Sequence, residues 1–154
     1  MIGGNGPSLN SSIGGTEALL QAIDEGLFAT SHPAFAQWPI RFVREGDRIV
    51  AAGWGSDTLP REGSGFAPPA SDPALARLAG RYSSDNPWAG VAPIAERGGK
   101  LWLYGGTPLT PLADGSWRIG KEPWSPERIV FANLVGGRPR TMLLSGEPFE
   151  RRDI

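Results

Sequence analysis

The stretch Val91-Ala92-Pro93-Ile94-Ala95-Glu96-Arg97-Gly98-Gly99-Lys100-Leu101-Trp102-Leu103-Tyr104 decides the fold. Two strand-like runs flank Gly98-Gly99, and a two-glycine loop supplies the pair of positive φ angles that a tight hairpin between twisted strands requires. In the second arm Leu101 and Leu103 fall on one face, Trp102 and Tyr104 on the other. The same punctuation recurs downstream. Residues 109–113 and 116–120 flank Asp114-Gly115, and residues 128–135 and 138–144 flank Gly136-Gly137. In residues 116–119, Trp117 and Ile119 share a face opposite Arg118. With a lead-in strand near 81–83 and a closing one near 149–151, the three hairpins make an antiparallel up-and-down meander of up to eight strands. At that number an open sheet curls or closes, so the predicted fold is mainly β, a small barrel or a strongly bent sheet.

Upstream the pattern changes. From Thr16 to Leu27, the apolar residues Leu19, Leu20, Ile23 and Leu27 recur at three and four positions, with Thr16 as N-cap and Gly26 near the end, which predicts one N-terminal helix. A loop containing Pro33, Phe35, Trp38 and Pro39 follows, then a hairpin of residues 40–44 and 48–52 around Glu45-Gly46-Asp47. Gly and Pro dominate residues 53–73, which read as a linker. A short helical turn over 73–78 leads into the meander. The expected organisation is thus a helical and hairpin appendage at 1–53, a linker at 54–73 and a β domain at 74–154.

Composition narrows the function. The 154 residues hold no cysteine, which removes disulfides, thiolate metal sites and cysteine nucleophiles. Fifteen basic and sixteen acidic residues, collected into no block, give a net charge of -1 and no nucleic-acid footprint. No apolar run approaches the roughly 18–20 residues of a bilayer helix. The start, Met1 to Asn5, has neither the basic nor the apolar region of a signal peptide, and the compartment is left open. Gly and Pro make up near a quarter of the chain, but six Trp and six Phe supply enough burial for a turn-rich folded protein.

Catalytic patterns are missing. A Ser-x-x-Lys nucleophile is excluded, because the residues three before Lys100 and Lys121 are Arg97 and Arg118. Tyr82-Ser83-Ser84 fits a Tyr-x-Ser element but reads as a structural tyrosine at a strand start. His32, the sole histidine, precedes Pro33 and reads as a solvated loop residue, not a triad base. One histidine makes no metal pair, and no acid cluster resembles a calcium loop. Glu96, Asp114 and Glu127 lie beside turns, where solvated charges are expected, although a spatial pair for glycoside hydrolysis is invisible in sequence. The glycine-rich start lacks both the dinucleotide and the phosphate-loop patterns, so no cofactor is expected. No residue is assigned to catalysis, to a metal or to a defined ligand site. Trp88, Trp102, Tyr104, Trp117 and Trp124 are the best candidates for a binding surface, but filling and covering a small barrel is the favoured reading of the set.

The run Leu78-Ala79-Gly80-Arg81-Tyr82, Trp88, residues 97–103, Pro108-Leu109, Pro111-Leu112, Asp114-Gly115 and Ser125-Pro126-Glu127-Arg128-Ile129 resembles a known module. It is similar to the small lipocalin-like β domain that follows the catalytic domain of bacterial serine hydrolases related to β-lactamases and penicillin-binding proteins. Asn5-Gly6-Pro7 and the helix are similar to the tail of such a catalytic domain. The resemblance implies a non-catalytic accessory domain, not itself an enzyme, that shapes substrate access or holds a partner. That partner is the hydrolase domain, or a second copy through the helix from Thr16 to Leu27. The alternative is a free-standing lipocalin-like carrier of a small apolar ligand.

Overall fold

A computed structural model describes residues 9–13 and 16–152, with side chains from residue 18 onward. The Asn5-Gly6-Pro7 stretch lies outside the described residues. The chain forms two compact units, Met1–Pro68 and Pro69–Ile154.

The first unit is a six-stranded antiparallel meander of β1 (Leu9–Ile13), β2 (Thr16–Asp24), β3 (Leu27–Thr30), β4 (Ile40–Glu45), β5 (Arg48–Trp54) and β6 (Asp57–Pro60), paired in chain order. The predicted hairpin at 40–52 forms as β4 and β5. The predicted helix does not form. Its residues make β2, a turn at Glu25-Gly26 and β3, with Leu20 aligned between Leu9 and Thr30. The apolar positions fit a period of two as well as one near four: Ala18 and Leu20 are buried, whereas Leu19 is 60% exposed. A helix of that length is marginal alone, and pairing on both sides of β2 outweighs its helix propensity. Gly26, at φ 68°, serves a hairpin turn and not a helix end. Contact with a partner through this helix falls with it.

The aromatic loop packs on the same unit. Phe35 meets Trp54 edge-on at 5.5 Å, the Trp54 indole N–H donates to the Phe35 carbonyl at 3.0 Å, and Phe28 meets Phe42 at 5.3 Å. Within residues 54–73, β6 pairs with Ala51–Trp54 of β5, and the Ser64 hydroxyl donates to the Val50 carbonyl at 3.1 Å.

The second unit opens with α1 (Pro73–Ala76), whose Asp72 cap accepts the Ala74 N–H at 2.8 Å. Eight antiparallel strands follow: β7 (Gly80–Ser83), β8 (Val91–Arg97), β9 (Lys100–Leu103), β10 (Thr107–Pro111), β11 (Trp117–Ile119), β12 (Arg128–Val135), β13 (Arg138–Leu144) and β14 (Glu147–Arg151). They form a closed barrel, as the meander pattern predicts, because β14 pairs with β7 through Glu150 with Ser83 and Arg151 with Tyr82. Alternation turns Ile94, Leu101, Ile129, Met142 and Phe149 inward, all buried, with Tyr82 among them. Leu75 and Leu78 pack against this cluster.

Candidate functional site

Consecutive strands of an up-and-down barrel run in opposite directions, so alternate connections share an end. One end carries α1, the two glycine pairs and the 112–116 turn. The other carries residues 84–90, 104–106, 120–127 and 145–146, one connection per quadrant.

The α1 end is closed by its own chain. Glu96, buried to 3% of its surface, accepts from the Ser71 hydroxyl at 2.6 Å, the Gly99 N–H at 2.7 Å and the Asp72 N–H at 3.2 Å. This carboxylate therefore joins the β8–β9 turn to the approach to α1, and the expectation of a solvated charge there is corrected. Strand alternation aims Glu96 into the barrel beside Leu101, and only hydrogen-bonded carboxylates survive such burial. A Cβ on Gly98 would meet Pro69 Cγ at 2.8 Å, and one on Gly137 would meet Arg77 Nη1 at 3.1 Å, so this end is tightly overlaid.

The opposite end has a different chemistry. Trp88 is 96% exposed, Trp124 78% and Tyr104 45%. The two tryptophans stand on the same device. In Asn86-Pro87-Trp88-Ala89 the Ala89 N–H donates to the Asn86 carbonyl at 3.0 Å, and in Glu122-Pro123-Trp124-Ser125 the Ser125 N–H donates to the Glu122 carbonyl at 3.1 Å. Both are β-turns with Pro at the second position, where its fixed φ suits the turn, and Trp at the third. The first turn is braced further. Asn86 Oδ1 accepts the Trp88 N–H at 3.1 Å, and Ser84 Oγ accepts the Asn86 N–H at 3.1 Å and donates to Glu147 at 2.8 Å.

Tyr104, between these loops, holds φ 53° ahead of Gly105 at 74°, and Ser145 holds 48° ahead of Gly146 at 89°. The corresponding turns at the α1 end are Gly98-Gly99 and Gly136-Gly137. Left-handed backbone costs a non-glycine residue on the order of 1 kcal/mol, so this end retains side chains where glycine would be cheaper.

The five candidate aromatics thus divide. Trp102 lies on the barrel wall, half-buried, with the Arg97 guanidinium 5.2 Å above its ring and held by the Gly105 carbonyl. Trp117 packs against the core. For these two the barrel-covering reading describes their place. For Trp88, Trp124 and Tyr104 it is corrected, since their rings face water. The repeated Pro-Trp pair, at 87–88 and 123–124, is the sequence signal that marks the two tryptophans.

The remaining candidates have structural roles. The Tyr82 hydroxyl donates to the Leu78 carbonyl at 2.8 Å inside the core, Ser83 accepts from Arg152 at 2.8 Å, and His32 Nδ1 accepts the Ala34 N–H at 3.2 Å. Asp114 accepts from the Ser116 hydroxyl at 2.6 Å and its N–H at 2.9 Å, bonds that hold its carboxyl below the ordinary value. Among the described residues no group of three or more His, Asp or Glu side chains is placed to hold a metal, and no helix is long and apolar enough to cross a membrane.

Comparison of the chain with protein-family models, with curated proteins and with solved structures returned no match. What fold and site define is a closed eight-stranded up-and-down barrel with one overlaid end and one aromatic end, joined in sequence to a six-stranded antiparallel sheet.

Proposed function

We propose that the chain is a non-catalytic binding module, an accessory β domain of a serine-hydrolase-like protein, whose aromatic end meets what the assembly acts on. The observation that carries this reading is the pair of Pro-Trp turns at one end, beside Tyr104, with nearly all of the Trp88 ring in water. Folding gains nothing from such a ring, whereas binding gains from a large aromatic with only two side-chain torsions to fix on contact. The link to a hydrolase rests on the strand-and-turn resemblance alone. The carrier alternative asks for interior space, and buried side chains from all around the wall converge there.

The test is made on the protein encoded with this chain. An in-frame Ser-x-x-Lys domain whose KM rises several-fold in W88A/W124A, with kcat within about twofold, supports an accessory role in substrate access. A gene that encodes no such domain overturns the accessory part and leaves the binding module. The chain by itself is expected to leave nitrocefin and p-nitrophenyl esters intact and to take no fluorophosphonate label; stoichiometric labelling of any serine would overturn the non-catalytic reading.

A further inference from the structure

We infer that the ligand of the aromatic end is a neutral saccharide chain lying across the four connections; this rests on the reading of that end as the binding surface. Three observations narrow the ligand. The first is the company the rings keep. Residues 84–90, 104–106, 120–127 and 145–146 contain no Leu, Ile, Val, Met or Phe, only Gly, Pro, Ser, Asn, one Ala and charged residues around Trp88, Tyr104 and Trp124. An amphipathic helix with an aliphatic face would find no aliphatic partner there. A sugar ring suits the setting, because its C–H face stacks on an aromatic ring while its hydroxyls reach polar groups at the edge.

The second is charge. These connections carry Asp85, Glu122 and Glu127 against Lys121, with Arg152 paired to Asp85 and the Arg128 guanidinium held on the Ser125 and Glu127 carbonyls, so the two signs nearly balance. An end without a surplus of positive charge offers a polyanion no electrostatic gain, which argues against nucleic acid and sulfated glycans. Carboxylates accept hydrogen bonds from neutral hydroxyls without needing an opposite charge. The third is placement. The barrel interior is occupied by its own core, so the ligand lies over the end and not within it. Trp88 and Trp124 stand four strands apart in the closed ring, with Tyr104 on the connection between them, so one ligand long enough to cross the end can rest on successive rings.

The experiment titrates the full chain with chitohexaose and cellohexaose, read by tryptophan emission and calorimetry, with dextran sulfate, tetraethylammonium and phosphatidylcholine vesicles alongside. Saturable binding of a neutral hexasaccharide is expected. Trp88→Ala and Trp124→Ala should each weaken it by about three- to tenfold, the gain of one aromatic contact, while Leu59→Ser, in the first unit, should leave it unchanged. Both tryptophans are exposed, so the variants should melt with the native chain. Saccharide binding that survives W88A/W124A overturns the proposal, as does the lack of any saccharide binding. If tetraethylammonium, dextran sulfate or vesicles bind through the tryptophans instead, the saccharide is wrong and the binding end stands. If nothing binds and the KM of the parent protein ignores both tryptophans, the binding end falls as well.

Discussion

At Glu96 a carboxylate is kept from water by three donors, two of them backbone N–H groups on either side of the α1 end. Glu96→Ala removes the acceptor and leaves the Asp72 and Gly99 N–H groups without it. Unsatisfied buried donors make this one of the costlier single changes, about 2–4 kcal/mol in urea unfolding. Glu96→Gln keeps one acceptor oxygen and should cost less than half of that. Equal losses would mean that the charge, and not the hydrogen bonding, is what the site uses. Asp114 gives a pH-dependent counterpart. The Ser116 hydroxyl, and then its N–H, favour the ionised form and lower the folded-state pKa. The contribution is therefore complete above the ordinary carboxylate value and is lost as pH falls through the lowered one. Asp114→Asn should melt below the native chain at neutral pH, and the two should converge in acid. A gap that stays constant into acid would contradict the assignment.

At the scale of elements, β2 separates the strand from the helix it resembles. A helical stripe buries Leu19 and Leu20 together; a strand buries only one. Leu20 is 4% exposed, so Leu20→Ala should cost about 2–4 kcal/mol, and Leu19→Ala under about 0.5 kcal/mol. Comparable losses at both sites would restore the helix. The contrast also shows what was legible in the sequence. Gly98-Gly99 and Gly136-Gly137 force a local backbone shape, and β8, β12 and β13 occupy the residues that those turns predict. Thr16 to Leu27 has no such local constraint, since its state is decided by hydrogen bonds to β1 and β3, which periodicity does not report. Asp57–Pro60 was hidden among turn residues for the same reason, being a strand only by virtue of β5. The aromatic end was half legible. The sequence singles out Trp88, Tyr104 and Trp124, and the meander already places their connections at one end, but exposure depends on where each turn aims its ring.

For the whole molecule the decisive element is the seam between β14 and β7, where the chain's two distant ends of the barrel meet over only a short ladder. Side chains reinforce it unequally. Arg151 donates to the Arg77 carbonyl at 3.0 Å and the Ala79 carbonyl at 2.7 Å while its guanidinium stands 5.8 Å from the centre of the Tyr82 ring, so a single residue ties β14, the segment after α1 and the core. Arg152 pairs with Asp85 at 3.1 Å, but both side chains are largely in water, where screening and lost side-chain freedom offset most of the attraction. Since the barrel buries its own core and closes its own hydrogen-bond ladder, residues 69–154 should fold alone with one cooperative melt. In that fragment Arg151→Ala should lower stability by about 1–3 kcal/mol, through two carbonyls left without their charged donor. Asp85→Ala should change it by less than about 0.5 kcal/mol. A fragment that melts without cooperativity would show that closure needs the first unit. If Asp85→Ala matched Arg151→Ala, the seam would be held by surface charge, and raising the salt to about 1 M would then weaken the native barrel as much as either substitution.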